Sequence, residues 1–448
     1  MTSLTKKKTW FFAIGQFGWA LLSGLIGSWL VYFYQPDDAS IAAGQTVFIP
    51  QGRVIFGVLT IIGIITAAGR IFDAITDPLV ASMSDKCKSP LGRRMPFLKW
   101  SALPFAVVTV LVFCAPVNHT SVLNAIWLAV MILLYYFSIT LYCTPFTALY
   151  SEITHTEEER MLASTAISLT FIAGTAVAYC APTIWNALTP ALGRVAAMRT
   201  AFVILAAISL VCMYFPVVSI KEKDYVDSVP VTTNMFESLG KTFKNKNFRI
   251  FVGSDIFYWI GLTMFQTGLS FFVTSLLKLP ESYFMPMFVG MTALSLVFYI
   301  PINMLTKKFG KKKMVVLAFI LFTVLFTFTA CTGPQLFIST KVQAVIMVVL
   351  ASFPMAIFGI LPQAMVADCA EDDTKKTGES RQGMFFAART FCFKLGQSVA
   401  MLLFTSLATI GANSGSAGSE TGYRIVAIVS ACLCLTGGIV LVFYKDRR

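Results

Sequence analysis

Long apolar segments alternate with short polar segments along the whole chain. A helix that crosses a membrane needs about 20 predominantly apolar residues, and segments of that kind recur twelve times in this sequence. The predicted spans lie near residues 10–34, 53–83, 98–116, 122–148, 162–184, 199–220, 248–277, 283–306, 314–333, 343–367, 384–411 and 425–444. The pattern therefore predicts an all-α membrane protein with twelve transmembrane helices.

The longest polar segment, residues 221–247, follows the sixth predicted span. We therefore expect an N-terminal six-helix half at residues 1–220, a central cytoplasmic loop at 221–247 and a C-terminal six-helix half at 248–448. The loop after the second span carries Gly92 followed by two arginines, and the loop after the eighth carries Gly310 followed by three lysines. Matching loops of this kind indicate that the two halves are a repeat.

Composition and the placement of charge agree with a membrane protein. Hydrophobic residues make up 56% of the chain and charged residues 13%, which is unusual for a soluble domain. The net charge of +13 would suggest a nucleic-acid partner for a soluble protein, but here the lysines and arginines cluster on alternate loops. By the positive-inside bias, both termini are cytoplasmic. We expect a monomer in the lipid bilayer of a bacterial inner (plasma) membrane, with no nucleic-acid partner.

One predicted span carries three charged residues, Arg70, Asp73 and Asp77. Their spacing of i, i+3 and i+7 places them on one face of a helix. A charge in the bilayer interior costs roughly 2.5–3.5 kcal/mol, so such residues usually pair, face water and mark an ion or substrate pathway. The pattern therefore predicts a cation-coupled transporter of a small molecule. A packed helix pair in which Arg70 only neutralises one aspartate is the structural alternative.

Residues typical of enzymes are missing from the sequence. There is no His-Glu-x-x-His, no Gly-x-Ser-x-Gly and no histidine inside a predicted span. None of the ten cysteines forms a Cys-x-x-Cys arrangement. The sequence therefore argues against an enzyme and predicts no metal beyond a Na⁺ ion, and no cofactor other than a coupling ion.

The Arg-x-x-Asp-x-x-x-Asp-Pro run of the second span and the Gly-Arg-Arg-x-Pro loop after it resemble those of the glycoside-pentoside-hexuronide:cation symporters of the major facilitator superfamily. The resemblance covers essentially the whole chain. It implies two six-helix halves that rock around a central site. It also implies symport of a glycoside, uronide or related organic solute with H⁺ or Na⁺, by alternating access.

The same resemblance assigns roles to individual residues. It implies a cation site at Asp73, Asp77 and Thr140, and substrate contacts at Cys143, Thr390 and Lys394. The chain departs from the sugar permeases of the family at several positions where they carry other site residues. These departures are Ala20, Thr76, Cys143, Ile167, Gly359 and Arg389.

Two departures bear on the ion and the substrate. Cys143 stands where those permeases carry an aspartate that contributes to sugar and cation binding, so one hard oxygen ligand is lost and H⁺ is favoured over Na⁺. Arg389, one residue before Thr390, replaces a neutral glutamine. With Lys394 it could line a cavity for an anionic solute. Alternatively, Arg389 pairs with Asp255 and Lys394 pairs with Asp77 as salt bridges of the transport cycle. A third interpretation places Asp255 at the membrane edge.

Polar residues near the cytoplasmic loops suggest a gate. We expect Asp368 to form an ion pair with Arg93 or Arg94, and we interpret Glu152 and the 157–159 glutamates as a solvated acidic loop. Two rival functions remain open on the same fold. One is transport of a lysophospholipid-like solute, and the other is a sensor that binds a ligand without transporting it.

Overall fold

The computed structural model describes residues 4–52, 59–225, 240, 242–377, 382–412 and 418–445. Helices dominate both halves of this described part. The N-terminal helices are α1 (Lys6–Tyr34), α2 (Asp38–Ala42), α3 (Ile61–Asp85), α4 (Met95–Val112), α5 (Val122–Ile153), α6 (Glu157–Tyr179), α7 (Ala181–Leu192) and α8 (Arg194–Ser219). The C-terminal helices are α9 (Lys246–Phe271), α10 (Phe284–Phe309), α11 (Lys311–Cys331), α12 (Thr340–Thr377), α13 (Gln382–Ala408) and α14 (Glu420–Val442).

Eleven helical segments of the described chain are long and apolar enough to cross a membrane. Helix α3, which corresponds to the second predicted span, is not among these eleven because Arg70, Asp73 and Asp77 interrupt its apolar stretch. The fifth predicted span corresponds to α6 and α7 together, with Pro182 near the start of α7. The structure therefore has the all-α architecture that the sequence predicts.

The chain divides into two compact units, which meet in sequence at Thr232 and Thr233. Gly52 and the described residues 59–63 group with the second unit. In the first unit, α1 packs against α6 and α8, and α4 packs against α5 and α8. In the second unit, α9 packs against α13 and α14, and α11 packs against α12 and α14. The predicted division into halves at 1–220 and 248–448, with a cytoplasmic loop at 221–247, stays a prediction.

Local sequence explains where α6 begins. Thr156 and Glu159 form a capping box at the start of α6: the Thr156 hydroxyl accepts from the Glu159 N–H at 3.2 Å, and the Glu159 carboxylate accepts from the Thr156 N–H at 3.3 Å. The same carboxylate accepts the backbone N–H groups of His155 and Leu4, at 2.9 and 3.0 Å. These backbone donors, led by His155, lower the pKa of Glu159 below its ordinary value. Glu159 therefore caps the start of α6, a role that its interpretation as part of a solvated acidic loop did not include.

Candidate functional site

The two sides of α3 differ in character. Ile71, Ile75 and Leu79 recur every four residues and are 44, 53 and 54% exposed, so they form the apolar outer side of the helix. Asp73 lies on a different side and is only 5% exposed, while Asp77 is half-buried. The predicted shared face thus points into the unit and not toward lipid.

Asp73 receives a hydrogen bond from α5. The Thr140 hydroxyl donates to Asp73 Oδ1 at 2.9 Å, and both residues are buried. The Thr76 hydroxyl lies 3.4 Å from the Thr140 hydroxyl and bonds the Asp73 main-chain carbonyl at 3.1 Å. The structure therefore brings together two of the three predicted cation ligands, with Thr76 beside them.

Asp77 receives a similar hydrogen bond from α5, one helical turn further along. The Thr144 hydroxyl donates to Asp77 Oδ1 at 3.3 Å. Because residues 73 and 77 are four apart on α3, and residues 140 and 144 are four apart on α5, the same pair of helices supplies two carboxylate–hydroxyl contacts in register. Sequence analysis missed Thr144, although its i+4 spacing from Thr140 is the signal that identifies it.

Arg70 occupies the same region of α3 and faces an aromatic ring. Its guanidinium carbon lies 5.2 Å from the centroid of the Tyr136 ring on α5, within cation–π range. The Arg70 Nε atom is buried and has no hydrogen-bond partner in the described part of the chain. Arg70 is therefore held by α5 as well, and its predicted role in charge pairing stays a prediction.

This arrangement concentrates oxygen atoms in an otherwise apolar helix pair. Asp73, Asp77, Thr140 and Thr144 offer carboxylate and hydroxyl oxygens, which are the donors that hard cations prefer. A buried carboxylate can also take up a proton, because burial disfavours its charged form. Cys143, the predicted substrate contact, lies half-buried on the same helix as the two threonines. The geometry suits either a proton or a small hard cation.

The second unit contains a buried ion pair. Arg389 on α13 donates from Nε to Asp255 Oδ2 at 2.7 Å and from an Nη to Asp255 Oδ1 at 3.1 Å. The two side chains are 6 and 3% exposed. Of the three arrangements left open by the sequence, the structure shows the internal pair. Placement of Asp255 at a water-exposed membrane edge is wrong, because the residue is buried on α9.

Aromatic residues pack near this ion pair. Trp259, one turn after Asp255 on α9, stacks on Phe393 of α13 with ring centroids 4.5 Å apart. Thr390 and Lys394 lie half-buried on α13 at i, i+4 spacing. The structure places these two predicted substrate residues on the helix that carries Arg389. Their contact with a substrate stays a prediction.

The predicted gate arginines lie in a network at one end of the first unit. Arg94 donates to the Glu152 carboxylate at 2.9 Å and to the Ser84 hydroxyl, and Arg93 also lies 3.4 Å from Glu152. Glu152 is only 20% exposed and links the end of α5 to the two arginines just before α4, while Arg94 reaches Ser84 at the end of α3. Its interpretation as part of a solvated loop was wrong, because it is an ion-pair partner.

A further residue of this network was not predicted. The Glu222 carboxylate is 2% exposed and accepts the backbone N–H groups of Arg93, Arg94 and Met95 at 2.7–3.1 Å. It therefore supplies the acceptors that the start of α4 lacks. Gly92 has a φ of 113°, and a side chain there would collide with Glu222. The contact with Glu222 and the positive φ therefore explain why the Gly-Arg-Arg loop has a glycine at position 92.

Asp368, the third predicted gate residue, lies in the second unit. Its carboxylate accepts from the Lys311 ammonium at 2.5 Å. Lys311 is the first of the three lysines after Gly310, so the repeated loop of this unit also provides a partner for an acidic residue. The roles of Arg93, Arg94 and Asp368 in gating stay predictions.

Comparison with known proteins identifies the class of the molecule. A family model described as MFS/sugar transport protein matches residues 11–446. The chain therefore belongs to this family, and its relatives place it among the glycoside-pentoside-hexuronide:cation symporters of the major facilitator superfamily. Members of this family are membrane transporters and not enzymes. The protein is an integral, multi-pass membrane protein.

Individual relatives are distant. The chain is 26% identical over 236 residues to the inner membrane symporter YicJ of Escherichia coli, a match that covers 51% of this chain and 49% of YicJ. The chain thus spans about half the length of that relative. It is 23% identical to the isoprimeverose transporter of Lactiplantibacillus pentosus, with 97 and 87% of the two chains covered. The sodium-dependent lysophosphatidylcholine symporter 1 of Xenopus tropicalis is also 23% identical, with 85 and 79% covered.

Solved structures show the same fold. The nucleoside transporter NupG superposes with a TM-score of 0.66 at 16% identity, covering 98% of this chain and 99% of NupG. A bacterial homologue of human drug peptide transporters superposes with a TM-score of 0.67 at 12% identity, covering 98% of each chain. At these identities the comparison establishes the major facilitator fold and nothing about the substrate.

Proposed function

We propose that this protein is a secondary active symporter that carries a glycoside, uronide or related organic solute together with a cation, by alternating access. The observation that carries the proposal is the buried Asp73 carboxylate, which accepts the Thr140 hydroxyl within an apolar helix pair. A carboxylate held this way costs free energy in a membrane protein. Such a cost is expected where the group binds a cation during transport.

Coupling to H⁺ fits the site better than coupling to Na⁺. A proton needs one titratable acid, and both Asp73 and Asp77 can serve. A Na⁺ ion needs several hard oxygen ligands at once, and Cys143 supplies sulfur where sugar permeases of the family supply a carboxylate. Thr140 and Thr144 add hydroxyl oxygens, so Na⁺ is the alternative ion.

The charge of the solute depends on Arg389. The expectation of an anionic solute assumed that this guanidinium needs a partner from outside the protein. Asp255 already accepts two hydrogen bonds from it, so the guanidinium has a partner within the protein. A neutral glycoside and a uronide are therefore both consistent with the site, and competition between charged and uncharged analogues distinguishes them.

A lysophospholipid-like solute is the second candidate. It is favoured by the similarity to a lysophosphatidylcholine symporter over 85% of this chain. The departures at Ala20, Cys143 and Gly359 also remove residues by which sugar permeases of the family hold their substrates. A lipid substrate predicts uptake of lysolipid and no competition by sugars.

The test is uptake by proteoliposomes from a panel of glycosides, uronides and lysolipids, with pH and Na⁺ gradients imposed separately. The proposal predicts accumulation of at least one glycoside or uronide above its equilibrium level when one gradient is present. Accumulation of lysolipids alone would favour the second candidate. Binding of a solute without accumulation under either gradient would favour a sensor and contradict the proposal.

The positive-inside pattern and the bacterial relatives support a bacterial plasma membrane with both termini cytoplasmic.

A further inference from the structure

A groove of about 320 Å³ lies between α4 and α5 of the first unit. This volume is within the range of about 300–1,000 Å³ that is typical of ligand sites. Most of its walls are apolar side chains of α4 and α5. The residues that form them include Pro96, Phe97, Trp100, Pro104 and Leu141. Trp100 is 72% exposed, so the groove opens on the outer surface of the unit, where a membrane protein meets lipid.

One buried hydroxyl of the groove has no partner in the described part of the chain, and one main-chain carbonyl beside it lacks its usual helical donor. Ser101 is 5% exposed, lines the groove, and its hydroxyl has no hydrogen-bond partner in the described part of the chain. Pro104 has no N–H to give to the main-chain carbonyl of Trp100, four residues earlier. A buried hydroxyl without a partner costs roughly 1–3 kcal/mol. A bound molecule that accepts a hydrogen bond would remove this cost.

The rim of the groove is cationic. The Lys99 ammonium is exposed and lies 5.6 Å from the centroid of the Trp100 ring, which itself lines the groove. Cys87 also lines the groove, and its neighbours Lys86 and Lys88 are both exposed. A lysine beside an apolar slot that opens to lipid suits an amphiphile with an apolar tail and an anionic head.

We propose that this groove binds one acyl chain of an anionic phospholipid. Its phosphate faces Lys99 at the rim, and an ester oxygen accepts the Ser101 hydroxyl. The apolar tail runs along Phe97, Trp100 and Pro104, which span about 12 Å of α4 at 1.5 Å per residue. The lipid comes from the leaflet on the side of the basic loops, which the proposed topology makes the cytoplasmic one. This inference does not depend on the solute or ion that the protein carries.

Cys87 makes the proposal testable without a known substrate. The full-length protein in detergent is mixed with phosphatidylglycerol or with phosphatidylcholine of the same acyl chains, and the rate of maleimide alkylation is measured at each cysteine by peptide mass spectrometry. We expect phosphatidylglycerol to protect Cys87 saturably, and phosphatidylcholine to protect it at least about fivefold less. Cys331 and Cys432, which are exposed, serve as internal controls whose rates should not change.

Two variants test the contacts. Lys99→Gln should weaken protection by phosphatidylglycerol about fivefold, which is the effect of one basic residue near a lipid headgroup. Ser101→Ala should weaken it roughly two- to tenfold without lowering thermal stability, because the hydroxyl has no hydrogen-bond partner in the described part of the chain. Lys308→Gln is the matched control. Lys308 lies 5.5 Å from the ring of exposed Phe309, so it repeats the lysine–aromatic pair outside the groove.

Several results would overturn the proposal. Equal protection of Cys87 by the two lipids would mean that lipids only coat this surface. An equal effect of Lys308→Gln and Lys99→Gln would show that protection of Cys87 depends on nonspecific attraction between lysines and the lipid. Protection that rises with protein concentration in the absence of lipid would mean that a second copy covers the groove. Accumulation of lysolipid in vesicles, reduced by Ser101→Ala, would make the groove part of a transport route instead of a lipid-binding site.

Discussion

The buried carboxylates of the two units have different hydrogen-bond partners. In the first unit, Asp73 is bonded by a neutral hydroxyl, and in the second, Asp255 is bonded by the guanidinium of Arg389. The Thr140 hydroxyl is a neutral donor, and Arg70 of the same helix also interacts electrostatically with Asp73. A guanidinium compensates the charge, and removal of either partner leaves the other buried and unpaired. We therefore expect Asp73 to exchange a cation during transport and Asp255 to form a structural pair.

The strongest test of this contrast is removal of charge from the first unit. Asp73→Asn and Asp77→Asn should each abolish accumulation of the solute above equilibrium, because a neutral amide cannot alternate between charged and cation-bound states. Accumulation in proteoliposomes under an imposed gradient is the measurement.

The matched control is Asp37→Asn. Asp37 is 3% exposed, and its Oδ1 accepts the Ser40 N–H at 2.9 Å, a bond that an asparagine oxygen can keep. This variant should accumulate solute as the parent protein does. Normal accumulation by either Asp73→Asn or Asp77→Asn would refute the assignment of that residue to the cation site.

In the second unit, breaking the ion pair should mainly reduce stability. Asp255→Asn or Arg389→Gln should each lower the free energy of unfolding by about 3–5 kcal/mol, as is typical when one partner of a buried pair is removed. The double variant should recover part of this loss, because no unpaired charge then remains. Thermal unfolding in detergent measures the effect.

Additive losses in the double variant would contradict a structural pair. A substrate role predicts a different pattern. Arg389→Gln would then lose affinity for an anionic solute and keep affinity for a neutral analogue, and competition assays with the two analogues would detect it.

A smaller effect is expected from the hydroxyl partners. Thr140→Val should change the apparent cation affinity about tenfold, since a hydrogen bond to a charged group contributes roughly 1.5–3 kcal/mol. Loss of a donor that favours the ionised carboxylate should strengthen proton binding, whereas loss of a hydroxyl ligand should weaken Na⁺ binding. Thr144→Val should have less effect, because its bond is longer, at 3.3 Å, and Asp77 is only half-buried. The measurement is the cation concentration that gives half-maximal uptake.

Thr147→Val is the control for these variants. The Thr147 hydroxyl bonds the Cys143 carbonyl of its own helix at 2.9 Å, so its loss should leave cation affinity unchanged. An effect of Thr147→Val as large as that of Thr140→Val would show that α5 responds to any such change, and would contradict a specific contact.

The smallest expected change concerns ion choice. Cys143→Asp adds a hard ligand to α5 and should increase stimulation of uptake by Na⁺ at fixed pH and membrane potential. Cys143→Ser adds only a neutral oxygen and should respond less. An unchanged Na⁺ response in both variants would mean that Cys143 lies outside the ion pathway.

Sequence alone predicts most of the fold, because apolar length defines a span whatever its neighbours are. It also predicts that Asp73 and Asp77 share a face, since that follows from helical spacing within α3. The boundaries at α12 were less accurate. The predicted span ended at residue 367, whereas the helix continues to Thr377, because a helix can extend into water through polar residues.

Contacts between distant residues were the part that sequence could not determine. Glu222 caps a helix that begins 127 residues earlier in the chain, and no local pattern around Glu222 indicates this. Likewise, the sequence left Arg389 with a choice between Asp255 and a solute. That choice depends on how α9 and α13 pack, which helical periodicity does not specify.

Cation movement that accompanies the solute tests the central claim most directly. Proteoliposomes containing the parent protein or Asp73→Asn are loaded with pH-sensitive and Na⁺-sensitive dyes, and the transported solute is added outside without any imposed ion gradient. Our account predicts that solute drives a cation, H⁺ in preference to Na⁺, into vesicles with the parent protein and drives neither ion with Asp73→Asn. Equal solute-driven cation influx in both preparations would contradict the role of Asp73 in coupling.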